Sequence, residues 1–179
     1  ERELTLALTR HATSKISSLE DLEQVLSFGF RGEALPSVAS ISRFSLASRT
    51  PGSEHGFVVN ADGSSLGTPE PIAMPHGTRI DVRELFYNIP ARRKFLKAER
   101  TEYGHIEDAL HTIALAHPQV EFRLSHNGKS ERVYTPQKER LPHDENVRPD
   151  DRLRSVFGPN FEAASIGLDE SLAGMWLRG

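Results

Sequence analysis

The chain has 179 residues, a formal net charge of −3, and hydrophobic and charged fractions of 37% and 26%. These values are typical of a globular protein and exclude one that is basic over its whole surface. The sequence has no cysteine, which excludes disulfides and thiolate metal sites. No apolar run approaches the roughly 20 residues of a membrane helix, and the first residues lack the features of a signal peptide. We therefore expect a cytoplasmic protein without membrane contact.

The chain opens within a helical pattern at residues 3–8. Because the pattern has no start signal and the first residue is Glu1 rather than methionine, we expect a fragment of a longer protein. A loop rich in serine, threonine and positive charge follows, with the sequence RHATSKISS. Ser18 and Asp21 then match a capping box, in which each side chain accepts a hydrogen bond from the backbone N–H of the other. This pattern predicts a helix from Ser18 to near Gly29.

Strands, a long helix and a hairpin are predicted in the middle of the chain. Alternating apolar residues between turn signals indicate three strands, at residues 43–48, 57–61 and 78–83. A long helix follows, whose predicted apolar face holds Tyr103, Ile106, Leu110 and Ile113. An Asn-Gly turn then joins two strand-like segments, residues 120–125 and 132–134, which predicts a hairpin.

Composition then changes sharply, as prolines and charges replace the apolar residues of a core. Residues 136–150 hold three prolines and predict a linker between two domains, residues 1–135 and 151–179. The elements predicted beyond it are a short helix that ends at Gly158 and two strands, at residues 163–168 and 173–177. Strands mixed with helices and joined through hairpins favour an α+β fold over a doubly wound parallel sheet.

Two glycines, Gly29 and Gly32, stand just before a predicted helix start at Glu33, in the stretch SFGFRGEALPSVASIS. Glycine adopts backbone angles closed to other residues and leaves the peptide groups accessible. A helix that starts here presents unpaired N–H groups and the positive end of its dipole, which attract phosphate, and Pro36 fits the first turn because it has no N–H. Two interpretations stay open: the glycines only shape the chain while Glu33 satisfies the dipole, or they form a phosphate-binding loop.

Side chains near these glycines favour the second interpretation. Arg31 adds a positive charge within the loop, and the upstream segment adds Lys15 as a mobile ammonium group. Thr13 and Ser14 add hydroxyl donors. Since two flexible segments with cations and hydroxyls bracket one short helix, they predict a lid that closes over one ligand.

Three motifs together resemble the MutL family of DNA mismatch repair proteins: RHATSKI, GFRGEAL and GTRIDVRELFYNIPARRKFL, in the family's order and with similar spacing. The resemblance implies a two-layer α+β sandwich, a mixed sheet with helices on one face, followed by the start of a ribosomal-S5-like second domain. It also implies that the parent protein binds ATP and Mg²⁺ and hydrolyses ATP slowly. Its partners would be DNA, a MutS-type mismatch-recognition protein and a second copy bound through the N-terminal arms. Such a protein is expected in the bacterial cytoplasm, near the nucleoid.

The resemblance also assigns site residues. They are Thr13, Ser14 and Lys15 for the ATP lid, Arg31, Gly32, Glu33, Ala34 and Leu35 for the phosphates, and Gly77 and Thr78 for the adenine side. For Gly77 and Thr78 a plain turn and strand start is the alternative. The family's water-activating glutamate, magnesium-binding asparagine and adenine-reading aspartate have no counterpart here. We therefore expect no catalytic residue in this chain and no hydrolysis by it alone.

Two further patterns complete the expectations. Arg93, Lys97 and Arg100 stand at helical spacing and suggest a stripe that contacts DNA phosphates, with a solvated basic face as the alternative. The eight histidines show no pair at the spacing of a helical zinc site, so no metal site is expected. The competing hypothesis for the whole chain is a non-catalytic DNA-binding or protein-interaction module that keeps the lid motifs as scaffold.

Overall fold

A computed structural model describes residues 2–16, 18, 20–21, 28–136, 151–166, 168–172 and 174–178. The chain divides into two compact units, Glu1–Leu96 and Lys97–Gly179, and each is described by itself. The predicted linker lies almost wholly outside the described residues, and the predicted domain boundaries stay a prediction.

The first unit is an antiparallel sheet with two helices packed on one face and a third, shorter helix. Its helices are α1 (Arg2–Ala7), α2 (Ala34–Ala39) and α3 (Pro90–Arg93). Its strands are β1 (Arg43–Arg49), β2 (Gly56–Asp62), β3 (Ser65–Leu66), β4 (Glu70–Ile72) and β5 (Gly77–Arg83). The strand order is β3-β2-β1-β5, with β4 also paired to β2. The three strands expected from the sequence are confirmed, and so is the α+β class.

Strand register explains where the core of this unit lies. Phe44 pairs with Ala61 and Leu46 with Val59, so these four side chains share one face of the sheet. Leu4 and Leu8 at α1 and Ala39 of α2 pack against them to form the core. Because α1 and α2 lie on this face, the segments that follow α1 and precede α2 lie near each other.

The capping box is present as predicted. The Ser18 backbone N–H donates to Oδ2 of Asp21 at 2.9 Å, and the Asp21 N–H donates to Oγ of Ser18 at 3.2 Å. Residues 20 and 21 are helical. The rest of the helix predicted here, residues 22–27, lies outside the described residues.

The second unit contains a long helix, two hairpins and two short helices. They are α4 (Glu99–Ala116), β6 (Phe122–His126), β7 (Lys129–Tyr134), α5 (Asp151–Phe157), α6 (Pro159–Ala164), β8 (Asp169–Leu172) and β9 (Met175–Arg178). Asn127 and Gly128 both have positive φ, 52° and 66°, as the predicted hairpin turn requires. Gly158, with φ 86°, follows α5 as expected. The strand predicted at residues 163–168 is wrong, because Pro159 starts a helix that continues to Ala164.

The face of α4 that packs against the hairpin is more polar than the sequence pattern indicates. Its buried residue is Ala114, whereas Ile106 and Ile113 from the predicted apolar face are 54% and 48% exposed. Glu107 instead pairs with Arg132 at 2.5 Å, and Nε2 of His111 lies 2.9 Å from the hydroxyl of Tyr134. Polar side chains that have a hydrogen-bond or ion-pair partner can face a core. A search of the sequence for an apolar stripe does not identify such residues.

Replacing Tyr134 with phenylalanine is expected to weaken the alkaline pH dependence of stability. Tyr134 is 1% exposed, and burial raises the pKa of its phenol, with Arg132 opposing in part. Above about pH 10 the unfolded chain loses this proton first, so stability falls as pH rises. Urea unfolding at pH 8 and pH 10.5 measures the fall, which should be smaller in Tyr134→Phe. The variant should also lose about 1 kcal/mol at pH 8 with the hydrogen bond.

A conservative control for this substitution is available in the same unit. Tyr103, which stacks on His126 with ring centroids 4.3 Å apart, makes only a minor contribution to the raised pKa of Tyr134 and can be changed to phenylalanine. The Tyr103→Phe variant should keep most of the wild-type fall in stability. An equal fall in Tyr134→Phe and wild type would contradict the role of the buried phenol.

Candidate functional site

Two segments of the first unit meet beside the start of α2. We name residues 11–15 the lid segment and residues 28–33 the glycine loop. Oγ1 of Thr13 donates to the carbonyl of Gly29 at 3.3 Å. A Cβ placed on Gly29 would lie 3.4 Å from Nζ of Lys15, and one placed on Gly32 would lie 2.8 Å and 2.9 Å from C and N of Ala12. The lid segment and the glycine loop are therefore in direct contact.

Both glycines of the loop are required by its backbone. Gly29 has φ +77° and Gly32 has φ +63°, in the left-handed region that L side chains rarely adopt. At Gly32 the backbone of Ala12 also leaves no room for a side chain. Close approach of two backbones, rather than turn geometry alone, explains the residue at this position.

An open cavity of about 660 Å³ lies beside this contact. Its lining brings together most of the residues predicted for the lid and the phosphates, namely Thr13, Ser14, Lys15, Gly32, Ala34 and Leu35. Helix α1 lines the cavity with Glu3, Leu6 and Ala7, which the sequence did not indicate. Hydroxyls, one ammonium group and backbone N–H groups at a glycine turn are donors suited to an anionic ligand.

Two residues predicted at the phosphates do not line this cavity, Arg31 and Glu33. Arg31 is exposed. Glu33 precedes the first residue of α2 but makes no side-chain hydrogen bond to the helix start. Its Oε1 lies instead 2.8 Å from Nδ1 of His11, and that oxygen is shut off from solvent. Glu33 therefore does not cap α2 through a hydrogen bond, and the interpretation in which its charge satisfies the helix dipole stays a prediction.

A second cavity of about 620 Å³ lies on the same face of the sheet. Thr78 lines it, and its Oγ1 is 3.1 Å from Oγ of Ser48 on the neighbouring strand. The two cavities share three lining residues, Glu3, Ala7 and Leu35, and so are adjacent. Gly77 has φ +128° and is exposed but lines neither cavity.

The predicted basic stripe does not lie on one helix. Helix α3 ends at Arg93, α4 begins at Glu99, and Lys97 stands between them. The Lys97 N–H, just before α4, donates to Oε1 of Glu102 at 2.7 Å. A carboxylate in the first turn of α4 thus accepts a hydrogen bond at the helix start, where negative charge is favourable. The helical-stripe interpretation of Arg93, Lys97 and Arg100 is therefore wrong, whereas their contact with DNA stays a prediction.

The chemistry of the first cavity also bears on metal binding. Of its lining residues one, Glu3, is acidic. Within the described ranges no group of three or more histidine, aspartate or glutamate side chains could hold a metal ion. A Mg²⁺ ion that prefers six oxygen ligands does not fit the residues of this cavity by themselves. Across the same ranges, no helix combines the length and apolar character needed to cross a membrane.

No protein-family model matches the chain. It is 54% identical over 177 residues to the DNA mismatch repair protein MutL of Xanthomonas campestris pv. campestris (strain B100). It is 53% identical over 178 residues to the protein of that name from Xylella fastidiosa (strain M12). Each alignment covers 99% of this chain and 27% of the relative, so the chain spans about a quarter of these relatives' length.

Solved structures give a consistent result. The Aquifex aeolicus MutL ATPase domain complexed with ADP superposes with a TM-score of 0.61 and 32% identity, over 79% of this chain and 52% of that one. The ATPase domain from the bacterial mismatch repair endonuclease Aquifex aeolicus MutL has the same TM-score and 30% identity, over 90% of this chain and 55% of that one.

Proposed function

Because this chain belongs to the MutL family of DNA mismatch repair proteins, we propose that it forms part of an ATP-binding domain. In this proposal the phosphates of ATP occupy the cavity between the lid segment and the glycine loop. The observation that carries it is the shared lining by Lys15, Thr13, Gly32 and Ala34. The neighbouring structure with bound ADP supports a nucleotide as the ligand.

Each part of the proposed site has a definite task. The ammonium group of Lys15 neutralises phosphate charge, and the hydroxyls of Thr13 and Ser14 donate to phosphate oxygens. Backbone N–H groups that follow Gly32 also donate to phosphate oxygens. The base would reach the second cavity past Leu35, with Thr78 as its polar contact, since the two cavities adjoin there.

The activity proposed for the parent protein is weak, Mg²⁺-dependent ATP hydrolysis. We propose that ATP binding drives dimerisation of its N-terminal arms and couples recognition by a MutS-type partner to strand processing on DNA in the bacterial cytoplasm. The described residues that line the cavity include one carboxylate, Glu3, and no cluster suited to a metal ion, so we propose that further groups of the parent protein supply the ligands for Mg²⁺ and the group that activates water. The 179-residue chain alone is therefore expected to show no hydrolysis above a buffer blank.

Protection of the lid from trypsin tests this proposal in the full-length protein. ATP should slow cleavage after Lys15, because the lysine side chain then contacts phosphate.

Changing Lys15 to alanine should lower ATP affinity about tenfold or more, since a charged hydrogen bond is worth about 1.5–3 kcal/mol. The matched control is Lys129→Ala, an exposed lysine in the second unit. Intact DNA binding with no ATP binding would support the alternative of a non-catalytic module.

Charge reversal tests the proposed DNA contacts of Arg93, Lys97 and Arg100. Each change to glutamate in the full-length protein should weaken binding to duplex DNA of any sequence. It should also reduce the slope of log affinity against log salt by about one, the value expected for the loss of one phosphate contact. Fluorescence anisotropy across a salt series measures both, with Lys129→Glu as the control of equal charge change. Unchanged affinity at low salt in all three variants would leave these residues as a solvated basic surface.

A further inference from the structure

Contacts between the lid segment and the glycine loop run in opposite chain directions. Thr13 and Lys15 contact Gly29, and Ala12 contacts Gly32. One residue further out, His11 pairs with Glu33 at 2.8 Å. Three consecutive lid positions, 11 to 13, thus contact the loop in reverse order.

Residue 11 has an uncommon backbone conformation. Its φ is +62°, in the left-handed region, which costs an L residue roughly 1–2 kcal/mol. Such a conformation persists only where the surroundings hold it. The backbone N–H of Ala12 donates to the carbonyl of Thr9 at 3.3 Å across this turn, and the His11 side chain contacts Glu33, so both contacts hold the turn at the root of the lid segment.

The side chain of Glu33 makes the other half of the contact with His11. Its carboxylate does not bond to the first-turn N–H groups of α2, although it stands directly before that helix. Oε1 faces His11 and is closed to solvent, whereas the His11 side chain is 77% exposed, so the contact is shielded from solvent on the Glu33 side only. Neither Glu33 nor His11 lines the cavity, whereas their neighbours Ala12 and Ala34 do.

We propose that His11 and Glu33 are positioning residues, which fasten the root of the lid segment to the start of α2 without touching the ligand. This inference rests on the proposed function, since the ligand that the lid closes over is taken to be ATP. Turning the carboxylate of Glu33 toward His11 also removes a negative charge that would otherwise compete with phosphate for the loop. The pair therefore sets both where the lid begins and how well the loop accepts an anion.

A double-mutant cycle in the full-length protein tests the proposal. Its variants are His11→Gln, Glu33→Gln and the double variant, and its readouts are the Kd for ATP and the rate of tryptic cleavage after Lys15 without nucleotide. Each single change should raise the Kd about 3- to 5-fold, the upper part of the range for an exposed charged contact, and speed cleavage. Because the two residues act as a pair, the double variant should lose no more than the worse single variant.

Rescue and control variants separate positioning from general folding. His11→Lys restores a cation facing Glu33 and should bring the Kd within about twofold of wild type; ATP affinity alone judges it, because the new lysine is a trypsin site. Glu84→Gln breaks the exposed ion pair with Arg43, 3.3 Å apart in the same unit, and should change neither readout. If wild type does not bind ATP, the proposed function fails while the cleavage rates still decide this inference. Effects of the single variants that multiply in the double variant, or unchanged cleavage, would overturn it.

Discussion

Changing Gly32 to alanine in the full-length protein is expected to lower ATP affinity by about tenfold or more. The left-handed backbone costs an alanine roughly 1–2 kcal/mol, and its Cβ would stand 2.8 Å and 2.9 Å from the backbone of Ala12. Since backbone atoms cannot rotate aside as a side chain can, the lid segment must shift away from the glycine loop. Isothermal titration with ATP measures the loss, and thermal unfolding of the same samples shows that the variant is folded.

Gly52 provides the matched control for this substitution. It also has a positive φ, +84°, but a Cβ at this position would meet nothing within 4 Å. Gly52→Ala therefore carries the backbone cost without the collision and should lose about 1–2 kcal/mol of stability while keeping ATP affinity. Equal affinities for ATP in the two variants would show that the approach of Ala12 to Gly32 has no bearing on the ligand.

Changing Arg152 to methionine is expected to destabilise the second unit by about 3–5 kcal/mol. The guanidinium group is buried, 3% exposed, and donates to the carbonyl oxygens of Tyr134 at 3.1 Å, Pro118 at 2.8 Å and Val120. Burial lowers the pKa of Arg152. Methionine is also long and unbranched and keeps much of the packing of the side chain. The loss of stability therefore measures the effect of leaving three carbonyl oxygens without a charged donor.

The measurement is chemical unfolding followed by hydrogen exchange of β7 and α4, which lie in the same unit. Arg154→Met, two positions later on the same helix and exposed, is the control and should cost less than about 1 kcal/mol. Because Arg152 ties residues beyond 150 to the end of β7, its loss should expose the amides of both at once. A loss of stability no larger than that of Arg154→Met would show that the buried bonds contribute little.

Local rules predicted the local features of this chain. The reciprocal bonds of Ser18 and Asp21 and the paired positive φ angles of Asn127 and Gly128 depend on residues next to each other in sequence, so patterns identify them. The need for glycine at positions 29 and 32 was visible in the same way. A family resemblance then located half of the residues that line the first cavity, although no spacing rule alone would have done so.

Features that depend on distant partners were not predictable. The burial of Arg152 depends on carbonyls 18 to 34 positions away, and nothing in DRLRSVFG separates this arginine from Arg154. The pairing of His11 with Glu33 spans two motifs, and only the packing of α1 and α2 on one sheet face brings them together. The stripe expected from Arg93 to Arg100 failed because the spacing of charges cannot reveal where one helix stops and the next begins.

The capping box has a consequence for the free energy of ligand capture. Helix α1 ends at Ala7 and the capped turn begins at Ser18, so residues 8–16 lie in a short connection between two ordered elements. Ordering a free backbone costs about 1–2 kcal/mol per residue in conformational entropy. Since Thr13 is already bonded to Gly29, much of that loss occurs when the protein folds rather than when the ligand arrives. A modest number of contacts can then hold a small molecule firmly.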